Sequence, residues 1–185
     1  ALALRDCEVT VLAASSGDLE CQVDDAQPDQ DRGCHHRSHR GVAGRELVTQ
    51  AGPKMLETLK AAAQGDVVLL HACCHNPSGV DPSEDEWRAI ADVIAERDLV
   101  PFVDMAYQGF AQSLNDDAFI VRHLAERVPE MIVANSCSKN FGLYRDRVGS
   151  LSILAADSAS RDVIYSQVNN VVRTIYSVPP DHGAV

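Results

Sequence analysis

Val100-Pro101-Phe102-Val103-Asp104-Met105-Ala106-Tyr107-Gln108-Gly109-Phe110 is the stretch on which the fold turns. Its opening apolar run has the length and composition of a buried strand. The run leads directly into an acid, with a phenol three residues later and an amide next to it. Taken alone, an Asp at a strand end is often no more than a helix cap. The same layout recurs on both sides, and that recurrence gives it meaning.

Upstream, Val67-Val68-Leu69-Leu70 reads as a second buried strand, followed by His71-Ala72-Cys73-Cys74-His75-Asn76-Pro77-Ser78-Gly79. Downstream, Met131-Ile132-Val133-Ala134 reads as a third, followed by Ser136-Cys137-Ser138-Lys139-Asn140-Phe141-Gly142-Leu143-Tyr144-Arg145-Asp146-Arg147-Val148-Gly149. Residues 148–154 make a fourth. Helical patterns lie between and after these runs. Ser83 and Glu86 have the capping-box spacing, and Trp87, Ile90, Ala91 and Ile94 recur on one helical face. Ile120, Val121, Leu124 and Val128 repeat that pattern, and Val163, Ile164, Gln167, Val168, Val171, Val172 and Ile175 predict a long final helix. Strands alternating with helices imply an α/β fold with a mainly parallel sheet covered on both faces. Ligands of such sheets gather at the carboxyl ends of the strands.

The 185 residues suffice for one domain or part of one, with 45% hydrophobic and 23% charged residues. A net charge of -11 argues against a general binder of nucleic acid or anionic membranes. No apolar run approaches the ~18 residues of a membrane helix. The start, Ala1 to Leu4 followed by Arg5 and Asp6, does not have the pattern of a signal peptide. The six cysteines include no CxxC pair and read as reduced thiols of a cytoplasmic protein.

The chain changes character near residue 54. Residues 9–14 have the pattern of a strand, but residues 24–45 are crowded with Asp, Arg, His and Gly and show little periodicity. Residues 1–53 are therefore read as a largely irregular segment. Cys34, His35, His36 and His39 invite a metal reading. A structural zinc site needs about four convergent ligands on a defined scaffold, so no metal is expected and a solvated tract is preferred.

A lone lysine is usually a solvated charge, and Asn-Pro-Ser-Gly alone is a turn. Together, an acid, a phenol, an amide, a lysine and an arginine at three strand ends form the set that a pyridoxal-phosphate enzyme needs. Cys74-His75-Asn76-Pro77-Ser78-Gly79, Ala106-Tyr107-Gln108-Gly109-Phe110, Ser136-Cys137-Ser138-Lys139-Asn140-Phe141-Gly142-Leu143-Tyr144 and Pro179-Pro180-Asp181-His182-Gly183-Ala184 closely resemble the fold-type I aminotransferases of the aspartate and aromatic amino-acid group. The resemblance covers about residues 55–185 and implies that residues 54–185 are part of a pyridoxal-phosphate-binding large domain. It implies that Lys139 carries the cofactor as a Schiff base and moves the proton during transamination. Asp104 is then the partner of the pyridine nitrogen, Tyr107 and Asn76 the partners of the ring oxygen, and Ser136 and Arg147 the holders of the phosphate. Arg173 matches the arginine that receives a dicarboxylic substrate's distal carboxylate across a homodimer interface, with Ser177 near it.

The sequence also departs from the pattern. The family's ring-stacking tryptophan lies far upstream of the Asn-Pro segment, whereas the single tryptophan here, Trp87, follows it. The upstream phosphate-binding turn, the downstream arginine for the substrate α-carboxylate and the small domain have no counterpart, so the chain is read as a fragment. Two functions follow. One is a transaminase acting on aromatic or dicarboxylic amino acids with a 2-oxo acid such as 2-oxoglutarate. The other is a non-catalytic fragment, at most a weak cofactor-binding module. Residues 176–183, with Val178 where aspartate enzymes usually carry Asn, favour aromatic substrates with dual specificity.

Overall fold

A computed structural model of the chain describes residues 8–14 and 53–175. Along the chain come β1 (Glu8–Ala14), α1 (Pro53–Ala61), β2 (Val67–His71), α2 (Glu84–Glu96), β3 (Val100–Met105), α3 (Phe119–Ala125), β4 (Met131–Ser136), β5 (Val148–Leu154) and α4 (Ser158–Ile175). The cluster of Cys34, His35, His36 and His39 and the segment 176–183 lie outside the described residues.

The five strands form one sheet in the order β1-β5-β4-β3-β2. β2 pairs with β3, and β3 with β4, in parallel, while β5 runs antiparallel to both β4 and β1. Four strands thus share a direction and β5 opposes them, which makes the sheet mixed. The cause is the connection. A parallel crossover needs roughly a dozen residues or more, usually with a helix, and residues 137–147 supply no helix.

Local signals account for the elements. α2 starts at a complete capping box: the Ser83 side chain accepts from the Glu86 N–H, and the Glu86 carboxylate accepts from the Ser83 N–H at 2.8 Å. Those bonds hold the Glu86 carboxyl below the usual range. Glu84, Asp85 and Glu86 in the first turn also suit the positive end of the helix dipole. Pro101 fits into β3 because it sits near the strand's start, before the ladder to β4 begins at Phe102 opposite Ile132.

The core lies between one face of the sheet and the helices. Val68, Leu70, Val103, Met105, Met131 and Val133 face Leu59, Trp87, Ile90, Ile94, Ile120 and Leu124, all buried in one cluster. Burying each large side chain there contributes about 1.5–3 kcal/mol relative to exposure.

The sheet is flanked by helices, but one face of its edge strand β2 is open among the described residues. Val67 and Leu69, read as part of a buried run, are 41% and 55% exposed, while Val68 and Leu70 are buried. The long final helix is present, but none of its residues is buried, and Val163, Val171 and Ile175 stay open. Apolar runs record that a face is built for cover; they do not carry the cover with them. No described helix is long and apolar enough to cross a membrane.

Candidate active site

The parallel register brings three strand ends together. His71 at the end of β2 stands opposite Asp104 on β3, and Asp104 stands opposite Ala134 on β4. Three polar turns therefore leave the sheet along one edge. The half-buried Asp104 uses Oδ1 to accept from the Ala106 N–H at 2.9 Å, and its Oδ2 has no hydrogen-bond partner among the described residues.

Beyond the strand ends, the Lys139 ammonium lies over the Tyr107 ring, 4.4 Å from its centroid. That is within the range of a cation–π contact. It joins the turn after β4 to the turn after β3. A second link to the turn after β3 comes from β4 itself: the Asn135 side-chain N–H donates to the Gln108 side-chain oxygen at 2.7 Å, and Gln108 in turn donates to the Leu114 carbonyl at 2.9 Å. Asn140 lies next to Lys139, and its Oδ1 is buried without a donor among the described residues.

Two aspartates that the sequence reading passed over hold the turns in shape. Asp81 accepts from two successive backbone N–H groups after β2, Cys74 at 2.6 Å and His75 at 2.8 Å. The next N–H, that of Asn76, donates to His71 Nδ1 at 3.2 Å, so His71 carries its proton on Nε2. The His71 and His75 rings stack with centroids 4.7 Å apart, and His75 Nδ1 lies 2.7 Å from the Ser78 hydroxyl. Burial and the neighbouring His71 both lower the His75 pKa, against the pull of Asp81.

Asp117 performs the corresponding task after β3. Its buried carboxylate accepts from the N–H groups of Gly109, Ala111 and Gln112 at 2.8, 3.1 and 2.9 Å. Burial raises its pKa, but these bonds outweigh burial and hold the carboxyl below its usual range. Gly109 has φ +95, a conformation that glycine adopts without strain. Burial, and after it the charge of Asp117, pushes the Cys73 thiol up to about 12. Cys73 is therefore a protonated thiol and a poor nucleophile near neutral pH.

The remaining candidates are arranged less closely. Ser136 Oγ accepts from the Ser138 N–H at 3.1 Å. Arg147 is exposed at the far end of the same connection, with φ +52, and donates to the Tyr144 carbonyl at 3.3 Å. Asn76 is exposed, and its side chain makes no hydrogen bond among the described residues. Arg173 is exposed in the last turn of α4, and no described hydrogen bond or ion pair joins it to the other candidates. No group of three or more His, Cys, Asp or Glu capable of holding a metal occurs among the described residues.

The chain is similar to known proteins. Residues 51–185 match the family described as aminotransferase class I and II. An aromatic-amino-acid aminotransferase of Pseudomonas aeruginosa is 52% identical over 130 residues, which cover 70% of this chain and 33% of that protein. A mitochondrial aspartate aminotransferase from Trypanosoma brucei is 53% identical, with a TM-score of 0.67 over 70% of this chain and 34% of its own. An aromatic-amino-acid aminotransferase from Burkholderia pseudomallei, covalently bound to pyridoxal phosphate in its crystal structure, is 45% identical, with a TM-score of 0.66 over 70% of this chain and 32% of its own. The chain spans about a third of the length of the relatives it matches.

Proposed function

The chain belongs to the class I and II aminotransferases, and from that premise we propose a transaminase that moves an amino group between an aromatic or dicarboxylic amino acid and a 2-oxo acid such as 2-oxoglutarate. The reading includes a cytoplasmic homodimer that engages neither nucleic acid nor membrane. Lys139 is the covalent anchor of pyridoxal phosphate. The observation that carries this is the Lys139 amine set over the Tyr107 ring, beside the strand end that bears Asp104.

The donor set fits the cofactor. A primary amine, a half-buried carboxylate with one oxygen uncommitted among the described residues, a phenol, a hydroxyl and a guanidinium lie on turns that leave one sheet edge. The uncommitted Asp104 oxygen suits a protonated ring nitrogen. When bound, pyridoxal phosphate supplies the electron sink for the pair left as the substrate Cα–H bond breaks. Lys139 Nζ, freed once the substrate amine replaces it, would carry that proton between the substrate Cα and the cofactor carbon C4′. Asp104 keeps the pyridine nitrogen protonated. The Tyr107 hydroxyl and the Asn76 amide donate to the ring oxygen, and the Ser136 hydroxyl and Arg147 guanidinium bind the phosphate. Arg173 receives the distal carboxylate of a dicarboxylic substrate in the partner subunit's site.

A second reading applies to the isolated chain: it binds the cofactor weakly and turns nothing over. The open apolar residues of β2 and α4 favour it. Borohydride reduction of the purified chain with pyridoxal phosphate, followed by peptide mapping, tests the anchor. Label on Lys139 supports it, and label spread over surface lysines sinks it. Turnover of phenylalanine, tyrosine and aspartate with 2-oxoglutarate, by the chain and by the whole protein, separates the two readings.

A further inference from the structure

The turn after β2 is tied down at three consecutive backbone donors. Asp81 receives the N–H groups of Cys74 and His75 on its two carboxylate oxygens at 2.6 and 2.8 Å, and His71 receives that of Asn76 at 3.2 Å. Cys74 sits at φ +49, a left-handed conformation that a non-glycine residue holds only when its surroundings fix it. The Asp81 carboxylate supplies that constraint. It bridges both sides of the bent peptide unit, and the chain emerges from the bend at Asn76. The Asn76 side chain is exposed and has no hydrogen bond among the described residues, so its direction is set through its backbone.

We propose that Asp81 is a positioning residue for Asn76, fixing through the Cys74–His75 peptide the direction in which the Asn76 amide presents its donor to the cofactor's ring oxygen. This rests on the role given above to Asn76. Asp81 itself touches no cofactor atom. Its contribution is orientation: a donor a fraction of an ångström out of line loses much of a hydrogen bond. The titratable groups around the bend are His71, Cys73, Cys74, His75 and Asp81 itself, with Asp117 acting on the two thiols from the turn after β3. His71 needs an unprotonated Nδ1 to accept the Asn76 N–H, so it works alongside Asp81 on the same short segment.

The test is the pH midpoint of the bound cofactor's visible absorbance in the whole protein loaded with pyridoxal phosphate. A donor to the ring oxygen favours the unprotonated form of the cofactor linkage, so loss of that donor raises the midpoint. Three variants are compared with wild type: Asn76→Ala, Asp81→Asn and the double variant. Asp81→Asn keeps the shape and one acceptor oxygen, so the protein still folds. Its amide nitrogen meets one of the two backbone donors head-on and frees the bend. Asp81→Asn is expected to raise the midpoint by about half a pH unit, a roughly threefold change in proton affinity, and to add almost nothing to Asn76→Ala. Asp81→Glu, which restores two acceptor oxygens, is expected to recover part of the shift. A merely structural role lowers the melting temperature and leaves the midpoint in place, and that result overturns the proposal. Full additivity in the double variant overturns it as well. An unshifted Asn76→Ala protein removes the Asn76 role itself, and the proposal with it. A normal Asn76→Ala shift beside an unshifted Asp81→Asn protein removes the proposal alone.

Discussion

Gly149 stands directly opposite Ser136 in the antiparallel ladder of β4 and β5, and it passes so near Asn135 that a Cβ at position 149 would overlap the Asn135 carbonyl oxygen. The clash is with backbone, which cannot swing aside as a side chain can. The close approach lies between the last two residues of β4, Asn135 bonded to Gln108 and Ser136 leading into the lysine turn. Gly149→Ala therefore forces the strands apart at this point. The expected cost is about 1–3 kcal/mol, the usual range for overpacking, with weaker retention of the cofactor if Ser136 holds its phosphate as proposed. Urea denaturation and a pyridoxal-phosphate titration read the two effects, and a variant of unchanged stability refutes the close approach.

Lys139→Ala should end transamination and borohydride trapping together, with circular dichroism close to wild type. In the proposed mechanism the amine that anchors the cofactor is also the base, so one substitution removes both. The cation–π contact with Tyr107 contributes only about 0.5–1 kcal/mol at a partly exposed site, so the fold survives. Near-normal turnover would falsify the central assignment.

Asp117 has a consequence in pH. Its carboxyl is held below the ordinary value of 3.8, so the folded state binds that proton less readily than the unfolded chain does. The resulting stability is fully present above 3.8 and is lost as pH falls through the lowered native value. Asp117→Asn keeps one acceptor for three backbone donors and should cost about 1–3 kcal/mol at neutral pH, the price of a buried donor left unmade. The gap between variant and wild type should begin to narrow once pH falls below 3.8. Denaturation midpoints at pH 7 and pH 3 measure it, and a constant gap at both values contradicts the assignment.

Arg173→Ala should separate substrates. A guanidinium takes a carboxylate through two parallel hydrogen bonds; Arg173 is exposed in this chain, and in the proposed dimer site, where the pair would be buried, breaking it typically costs about 3–5 kcal/mol. Aspartate should fall a hundredfold or more in single-turnover rate constant over binding, while tyrosine falls much less. Single-turnover measurement isolates the amino-acid half of the reaction and avoids the 2-oxoglutarate half, which carries a distal carboxylate too. An equal decline for both amino acids assigns Arg173 to structure.

The strands, the helices α2, α3 and α4, and the approach of Lys139 to Tyr107 were legible because each rests on a short local signal, whereas α1 was not read from the sequence. Apolar runs mark the strands, Ser83 and Glu86 mark a helix start, and polar residues that follow each run must leave the sheet at the same edge. The direction of β5 was harder to read, because its signal is the lack of helical periodicity between Asn140 and Arg147. Asp81 and Asp117 escaped notice for a different reason. Each acts on backbone N–H groups five to eight residues earlier in the chain, and an Asp before a helix or in a loop has many ordinary explanations. The open faces of β2 and α4 were illegible in principle, since a pattern built for burial is the same whether or not its cover is present.

The pairing of His71 with Asp104 and of Asp104 with Ala134 joins residues about thirty positions apart in each case. Contacts at such separation close late, because chain entropy must be spent before they are rewarded. If the proposed cofactor site forms, pyridoxal phosphate added to a refolding solution should act as a clock for the last event and stay free while helices and core collapse around α2. Its visible band should lag behind far-ultraviolet dichroism and tryptophan fluorescence from Trp87, and the length of that lag measures how long the sheet takes to come into register.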